Sequence, residues 1–464
     1  MISNGAMIEV IETVFREIKS MKSYPLQTLA TAMSGTLTQG GGDVVVTAGV
    51  STDTRKIPQG ALFFALKGDN FDAHEFLTTA LEAGASGLIV QDATNVPDGI
   101  SAILVEDTLK ALQDLAQWYR AELGIPVVAI TGSNGKTSTK DFTKSVLSQK
   151  FRVNATLGNL NNHIGLPLTV LATGESDEVG IFEMGMNHSG ELAPLCEIGR
   201  PNISIITNVG TAHIEHMGSR DAIALEKGTL ARALDEKGTL LVPSDCDYLE
   251  DFRESTPAKL VTVGQGAVRA ENVRPHASGS DFDLVIEGLG TIATSISVAG
   301  QHMVSNALLA AGAGAELGLT LAEIAAGLQN AELTSGRLRQ YQYEGVTVID
   351  DTYNANPDSV IAGLETLAQL PGEGRRIAAL GIMAELGDHA EEGYQQVGET
   401  ARKLNLTLVT VGEEAALYGA DEHFLEIDEA AERLSQLTTT GDIVLFKGSR
   451  MAAMERVMNK AYPY

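Results

Sequence analysis

Cysteine is almost missing from this 464-residue chain, where Cys196 and Cys246 are the whole supply. Two cysteines cannot build a disulfide framework, and metal sites made of thiolates need more of them. Basic charge is also short, 33 Lys and Arg against 60 Asp and Glu, for a formal net charge of -27. Such a field repels nucleic acid and anionic lipid surfaces, so an anionic ligand must be met by local cations. No stretch approaches the roughly 20 consecutive apolar residues needed to span a bilayer. Residues 1–20 contain acidic residues and no long apolar run, so they do not read as a secretory signal. The expectation is a protein of a reducing cytoplasm that binds no nucleic acid and inserts into no membrane.

What is present is the balance of a globular protein: 44% apolar and 20% charged residues, with 48 glycines and 13 prolines spread along the chain. At a prior of about 150 residues per domain the length predicts three domains. Short strand-like runs at 44–47, 62–66 and 87–90 alternate with helical patterns at 74–83 and 109–120, which predicts a small α/β domain over 1–123. A helix at 8–18 is expected to be a peripheral extension.

Gly124-Ile125-Pro126 breaks the preceding helix and opens a second domain, 124–332. Its apolar runs at 127–131, 179–182, 203–207 and 239–242, separated by helical stretches, predict a mostly parallel sheet. Helices are expected at 306–317 and 321–328. A turn at Ser335-Gly336-Arg337 then begins a third domain, 333–464, with strands predicted at 346–349, 377–381, 406–411, 424–427 and 443–446 and a helix at 428–437. That rhythm is Rossmann-like, a doubly wound unit.

The strongest local signal is Thr131-Gly132-Ser133-Asn134-Gly135-Lys136-Thr137-Ser138, which follows the apolar strand and leads into a helix. Glycines let backbone N–H groups close around phosphate oxygens, Lys136 reaches terminal phosphates, and the Thr137 hydroxyl suits Mg²⁺. The first glycine of the usual GxxxxGK[ST] spacing is absent, so this is a variant phosphate loop. By itself it does not separate kinase, GTPase, transporter motor and ligase. Glu183 stands directly after a buried-type strand and His213 after the next one, on the edge where parallel sheets gather ligands, and Lys227 follows in a helical pattern.

Together these residues resemble the ATP-dependent muramyl ligases that build the bacterial cell-wall peptide, whose phosphate loop has the same shorter spacing. The resemblance covers nearly the whole chain from about residue 26. It implies that Lys136, His213, Lys227 and Arg337 are catalytic. It implies an ATP site of Thr131, Gly132, Ser133, Asn134, Gly135, Lys136, Thr137, Ser138, Asn306, Arg337, Asp351, Tyr353 and Asn354. Mg²⁺ is implied at Thr137, Glu183, His213 and Lys227, the last often carbamylated by CO₂ in the family. Carbamylation needs a neutral amine, which burial favours.

Ser51, Thr52, Asp53 and Arg55 resemble part of the family's uridine-binding domain. The Asn-rich loop with Asn159, Asn161 and Asn162 resembles its muramyl-substrate loop, and Lys447 and Ser449 a terminal motif near the reaction centre. Met383-Ala384-Glu385-Leu386-Gly387 belongs to the same pattern without an individual role, while 242–247 lacks the family's Asn-x-Asp-Asp. The implied reaction joins D-alanyl-D-alanine to UDP-N-acetylmuramoyl-tripeptide through an acyl phosphate, giving the pentapeptide, ADP and phosphate, on a monomeric enzyme.

Overall fold

The computed structural model describes residues 21–38, 41–68 and 70–464, so the helix expected at 8–18 lies outside the described residues. The chain forms two compact units: residues up to Val127 with Arg152–Met184 and Pro194–Arg200, and Val128–Phe151 with Gly185–Ala193 and Pro201–Tyr464.

In the first unit five short strands form one sheet, in the order Thr36–Leu37, Ala102–Leu104, Gly87–Val90, Leu62–Phe64 and Val50–Ser51. All neighbours are parallel except the first pair. Leu62, Phe63, Phe64 and Leu88, Ile89, Val90 are fully buried, as continuous apolar runs in a parallel sheet require. The helix Thr108–Leu123 is capped by Asp107 and ends on Gly124 in the left-handed conformation, the break that the sequence places there. Further on, Val153–Ala155 and Val179–Glu183 pair in parallel.

The second unit holds two sheets. In the first, Val127–Thr131, Ile203–Ile206, Thr239–Pro243 and Lys259–Val263 run parallel. The sheet then continues into Val268–His276, Gly279–Ile286 and Gly290–Ile296, whose successive pairs are antiparallel. The expected parallel sheet therefore carries a meander at one edge. The helix Gln301–Glu316 begins five residues before the expected start, and Leu321–Gln329 follows with a capping box at Thr320 and Glu323.

The second sheet has the order Arg339–Tyr343, Val346–Asp351, Ile443–Lys447, Arg376–Gly381, Thr407–Val411 and Glu422–Phe424. Only the first pair is antiparallel. The strand expected at 424–427 is corrected: it stops at Phe424, and Ile427 already opens the helix Ile427–Leu437. The segment Phe424-Leu425-Glu426-Ile427 crosses a boundary, with Leu425 64% exposed between the two elements. Val348, Ile377, Ala379, Val409, Val444 and Phe446 form the core with Val457 of the last helix, Met454–Ala461, and Tyr462 just after it.

One buried carboxylate anchors this sheet. Asp442 is 2% exposed and accepts hydrogen bonds from the Arg375 amide (2.8 Å), the Arg375 guanidinium (2.7 Å) and the Thr439 amide (2.9 Å). Burial alone would raise its pKa, but these donors hold it below the ordinary value. A depressed pKa means stability that is fully present above the unfolded value and lost as pH falls through the folded one. Asp442→Ala is expected to cost about 2 kcal/mol in denaturant unfolding at neutral pH, a deficit that shrinks once the parent is acidified below its unfolded value of 3.8.

Candidate active site

Thr131 and Ile206 are register partners in adjacent parallel strands, so the loops that follow them leave the sheet side by side. Gly132 has φ 153°, and a Cβ there would fall 1.8 Å from Thr207 Oγ1. Only glycine lets the backbone pass so close. Gly135, at φ 80°, starts the helix Lys136–Leu147, and a Cβ on it would lie 2.6 Å from Asn306 Oδ1. Asn306 thus stands against the phosphate loop, from the second turn of its own helix.

The loop is tied to its neighbour at several points. The Asn134 carbonyl accepts from Thr207 Oγ1 (2.5 Å) and Asn208 Nδ2 (3.2 Å), while its amide donates to Asn208 Oδ1 (2.9 Å). Ser133 Oγ accepts from the Gly210 amide at 2.9 Å. Lys136 curls back so that Nζ donates to the Gly132 carbonyl at 2.7 Å, which sets a cation at the loop's mouth.

Arg337 reaches the same place from 200 residues further along the chain than Thr137. Its Nη2 donates to Thr137 Oγ1 at 3.2 Å, and its guanidinium lies 4.2 Å from the centre of the Tyr353 ring. Arg337 Nε, Thr131 Oγ1 and Ser449 Oγ are buried without a hydrogen-bond partner among the described residues, the state expected of groups that serve a ligand. One turn beyond Thr137, Asp141 pairs with Lys140 at 2.6 Å and accepts the Thr334 amide at 2.8 Å. Thr334 and Arg337 are therefore both fastened to one face of the phosphate-loop helix.

Asp351 and Lys447 end neighbouring strands as register partners and form a buried ion pair at 2.6 Å. Lys447 Nζ also donates to the Asn354 carbonyl at 3.0 Å. Lys447, expected beside substrate, is thus held by two residues expected at ATP. Burial pushes His302 down to about 4, against the pull of the Asp351 carboxylate, so its imidazole is neutral near neutral pH.

His213 Nδ1 and a carboxylate oxygen of Glu385 lie 2.5 Å apart. Both have left-handed backbones, φ 64° and 62°, which costs non-glycine residues energy and persists only where surroundings enforce it. The His213 ring holds the Glu385 carboxyl below its ordinary pKa. Lys227 is 1% exposed at the end of the helix Arg220–Lys227. Burial drives its amine well below 10.5, the Lys136 charge adds to the effect, and Glu226 opposes it.

In the first unit Glu183 is 2% exposed at its strand end, and its Oε1 accepts from Asn161 Nδ2 at 2.8 Å. Two expected site residues are thereby joined. Asn162 instead closes the turn before the helix Gly165–Leu171, its Oδ1 accepting from the Ile164 (3.2 Å) and Gly165 (2.8 Å) amides, while Asn159 is exposed. Asp53 caps the short turn Thr54–Lys56 and grips the Arg55 guanidinium with both oxygens, at 2.9 and 2.8 Å. Those bonds hold Asp53 down to about 2. Ser51 Oγ donates to the Asp53 carbonyl at 3.1 Å, and Thr52 is half-buried beside it.

The sequence reading assigned no role to Asp141, His302, Asn356, Asp358 or Glu385. Asn356 caps the helix Pro357–Gln369, with Pro357 at its first position. Contacts across the chain left no local signal.

Known proteins carry the same plan. Residues 46–128 match the Mur ligase family catalytic domain, 130–314 the Mur ligase middle domain, and 336–450 the Mur ligase glutamate ligase domain. The chain is 36% identical over 446 residues to the UDP-N-acetylmuramoyl-tripeptide--D-alanyl-D-alanine ligase of Bacillus subtilis, covering 93% of this chain and 97% of that protein. A crystal structure of MurF from Acinetobacter baumannii superposes with a TM-score of 0.89 at 32% identity, over 95% of this chain and 99% of that one. MurF ligase from Thermotoga maritima, in complex with ADP, gives 0.81 at 27% identity, over 89% and 96%. Matched along most of its length and sharing more than a third of its residues with a full-length relative, the chain belongs to the Mur ligase family.

Proposed function

We propose that this protein joins D-alanyl-D-alanine to UDP-N-acetylmuramoyl-tripeptide with ATP, a step of peptidoglycan precursor synthesis. The observation that carries the reading is the 36% identity, nearly end to end, with the Bacillus subtilis ligase named for that reaction. A carboxylate is a poor electrophile, so the peptide carboxylate first takes the γ-phosphoryl group of ATP to give an acyl phosphate and ADP. The dipeptide amine attacks the acyl carbon, and phosphate leaves as the amide forms and the amine loses its proton.

ATP and a carboxylate repel each other, and a chain of net charge -27 adds to that repulsion. Lys136 and Arg337 supply the opposing charge, and the loop amides orient the phosphates. Thr137 offers the hard oxygen that Mg²⁺ prefers, and bound Mg²⁺ neutralises phosphate charge. Lys227, whose amine burial shifts towards the neutral form, is able to add CO₂, lose a proton and present a carbamate oxygen.

The reading assigns the uridine end to 1–123, the ATP phosphates to 124–332 and the dipeptide to 333–464, in a monomeric cytoplasmic enzyme. No helix among the described residues is long and apolar enough to cross a membrane. The test is phosphate release from Mg·ATP, with and without each acceptor, and mass spectrometry of the uridine product. Release that requires both acceptors and a product heavier by one dipeptide is expected. Release indifferent to both would leave only a nucleotide hydrolase.

A further inference from the structure

The first turn of the helix Pro357–Gln369 touches both loops at the strand ends. Asn356 Nδ2 donates to Asn134 Oδ1 at 2.8 Å, and Asn134 Nδ2 donates back to Asn356 Oδ1 at 3.3 Å. The two side chains form a reciprocal amide pair across 222 residues of sequence. Asn356 is 8% exposed, and the same Oδ1 caps its own helix by accepting the Ser359 amide at 2.9 Å. The cap fixes the side chain, so the amide pair meets Asn134 from a rigid base.

Two residues on, Asp358 Oδ2 accepts from the Thr211 amide (2.7 Å) and from Thr211 Oγ1 (2.8 Å). A Cβ at Gly210 would stand 2.4 Å from that oxygen, so the approach requires glycine there. One helical turn thus holds the side chain of the phosphate loop's central residue and the loop that leads to His213.

We infer that Asn356 is a positioning residue for the phosphate loop: through Asn134 it holds the loop in its nucleotide-binding shape. The main-chain ties of Asn134 to Thr207 and Asn208 fix the depth of the loop. The Asn356 contact fixes its lateral tilt, the remaining freedom of a short glycine-flanked loop. Phosphate amides that must converge on one group are sensitive to such a tilt.

Helix capping and loop positioning can be separated by chemistry. Serine caps helices about as well as asparagine but is too short to reach Asn134. Asn356→Ser should therefore leave the melting temperature of the full chain unchanged, while ADP affinity, measured by calorimetry with Mg²⁺ and no peptide substrate, falls about tenfold. Asn134→Ala, which spares the cap, should weaken ADP binding similarly. The double variant should be no weaker than either single one, because both remove the same contact. Losses that multiply in the double variant, or unchanged ADP affinity in Asn356→Ser, would overturn the inference. The inference rests on the proposed use of ATP, and the two fail differently. A parent protein that binds no ADP sinks the proposed function, whereas a parent that binds ADP as tightly as Asn356→Ser sinks only the role of Asn356.

Discussion

Lys136→Ala is expected to lower ligation at saturating ATP and both acceptors by about a thousandfold or more, with the melting temperature little changed. The argument starts from how Lys136 is held. Its ammonium donates to the Gly132 carbonyl across its own loop, so the chain has already oriented it over the site. Alanine removes the charge and leaves the ties of Asn134 to Thr207 and Asn208 in place, and helix propensity at the start of Lys136–Leu147 is not lowered by the change. Substrate carboxylate and ATP phosphates would then face each other with one cation fewer, in a protein whose overall field already disfavours anions. Steady-state phosphate release together with thermal unfolding checks both halves. Full activity in a folded variant would remove Lys136 from the reaction.

Lys227→Met should give opposite signs in two measurements. An amine buried to 1% exposure, with its pKa driven well down, binds fewer protons in the folded than in the unfolded chain. It therefore costs stability at every pH below the unfolded value of 10.5, a cost that fades as pH rises towards that value. Methionine has similar length and no charge to desolvate, so protein stripped of divalent ions should melt a few degrees higher. Turnover should fall by about a hundredfold or more, because methionine cannot carry CO₂ and offers Mg²⁺ no oxygen. A variant both less stable and fully active would show that Lys227 serves packing. Loss of activity without a gain in stability would place a compensating partner at the amine.

The phosphate loop was legible because its chemistry is local: an apolar strand, two glycines in conformations that other residues resist, and Lys-Thr at the helix start. The antiparallel meander after Lys259–Val263 was not read, although hairpin punctuation is present at Ser278-Gly279 and at Gly288-Leu289-Gly290. Pro275 and the irregular register between Glu271 and Arg274 blur the alternation that would reveal Val268–His276. At 424–427 three apolar residues around Glu426 concealed a strand end, since hydrophobicity alone does not separate a strand from the first turn of a helix.

The site divides along the same line. Thr131 to Ser138, Asp351 and Lys447 sit at strand ends, where the order of strand and helix already points. Asn162 and Asp53 carry turn chemistry that looks the same in sequence whether or not a ligand is near. Glu385 could be noticed only as part of a motif, because its partner His213 lies far away in the chain and contacts of that kind have no periodicity.

The two fastenings on the phosphate-loop helix, Asp141 to Thr334 and Thr137 to Arg337, work as a ruler. Four residues of helix are matched to three residues of turn, so the distance along the chain from Thr334 to Arg337 is set by the pitch of a helix elsewhere. A single residue inserted between them would carry the guanidinium away from Thr137 whatever its side chain. Among relatives, the length of this turn should accordingly vary less than the residues that make it.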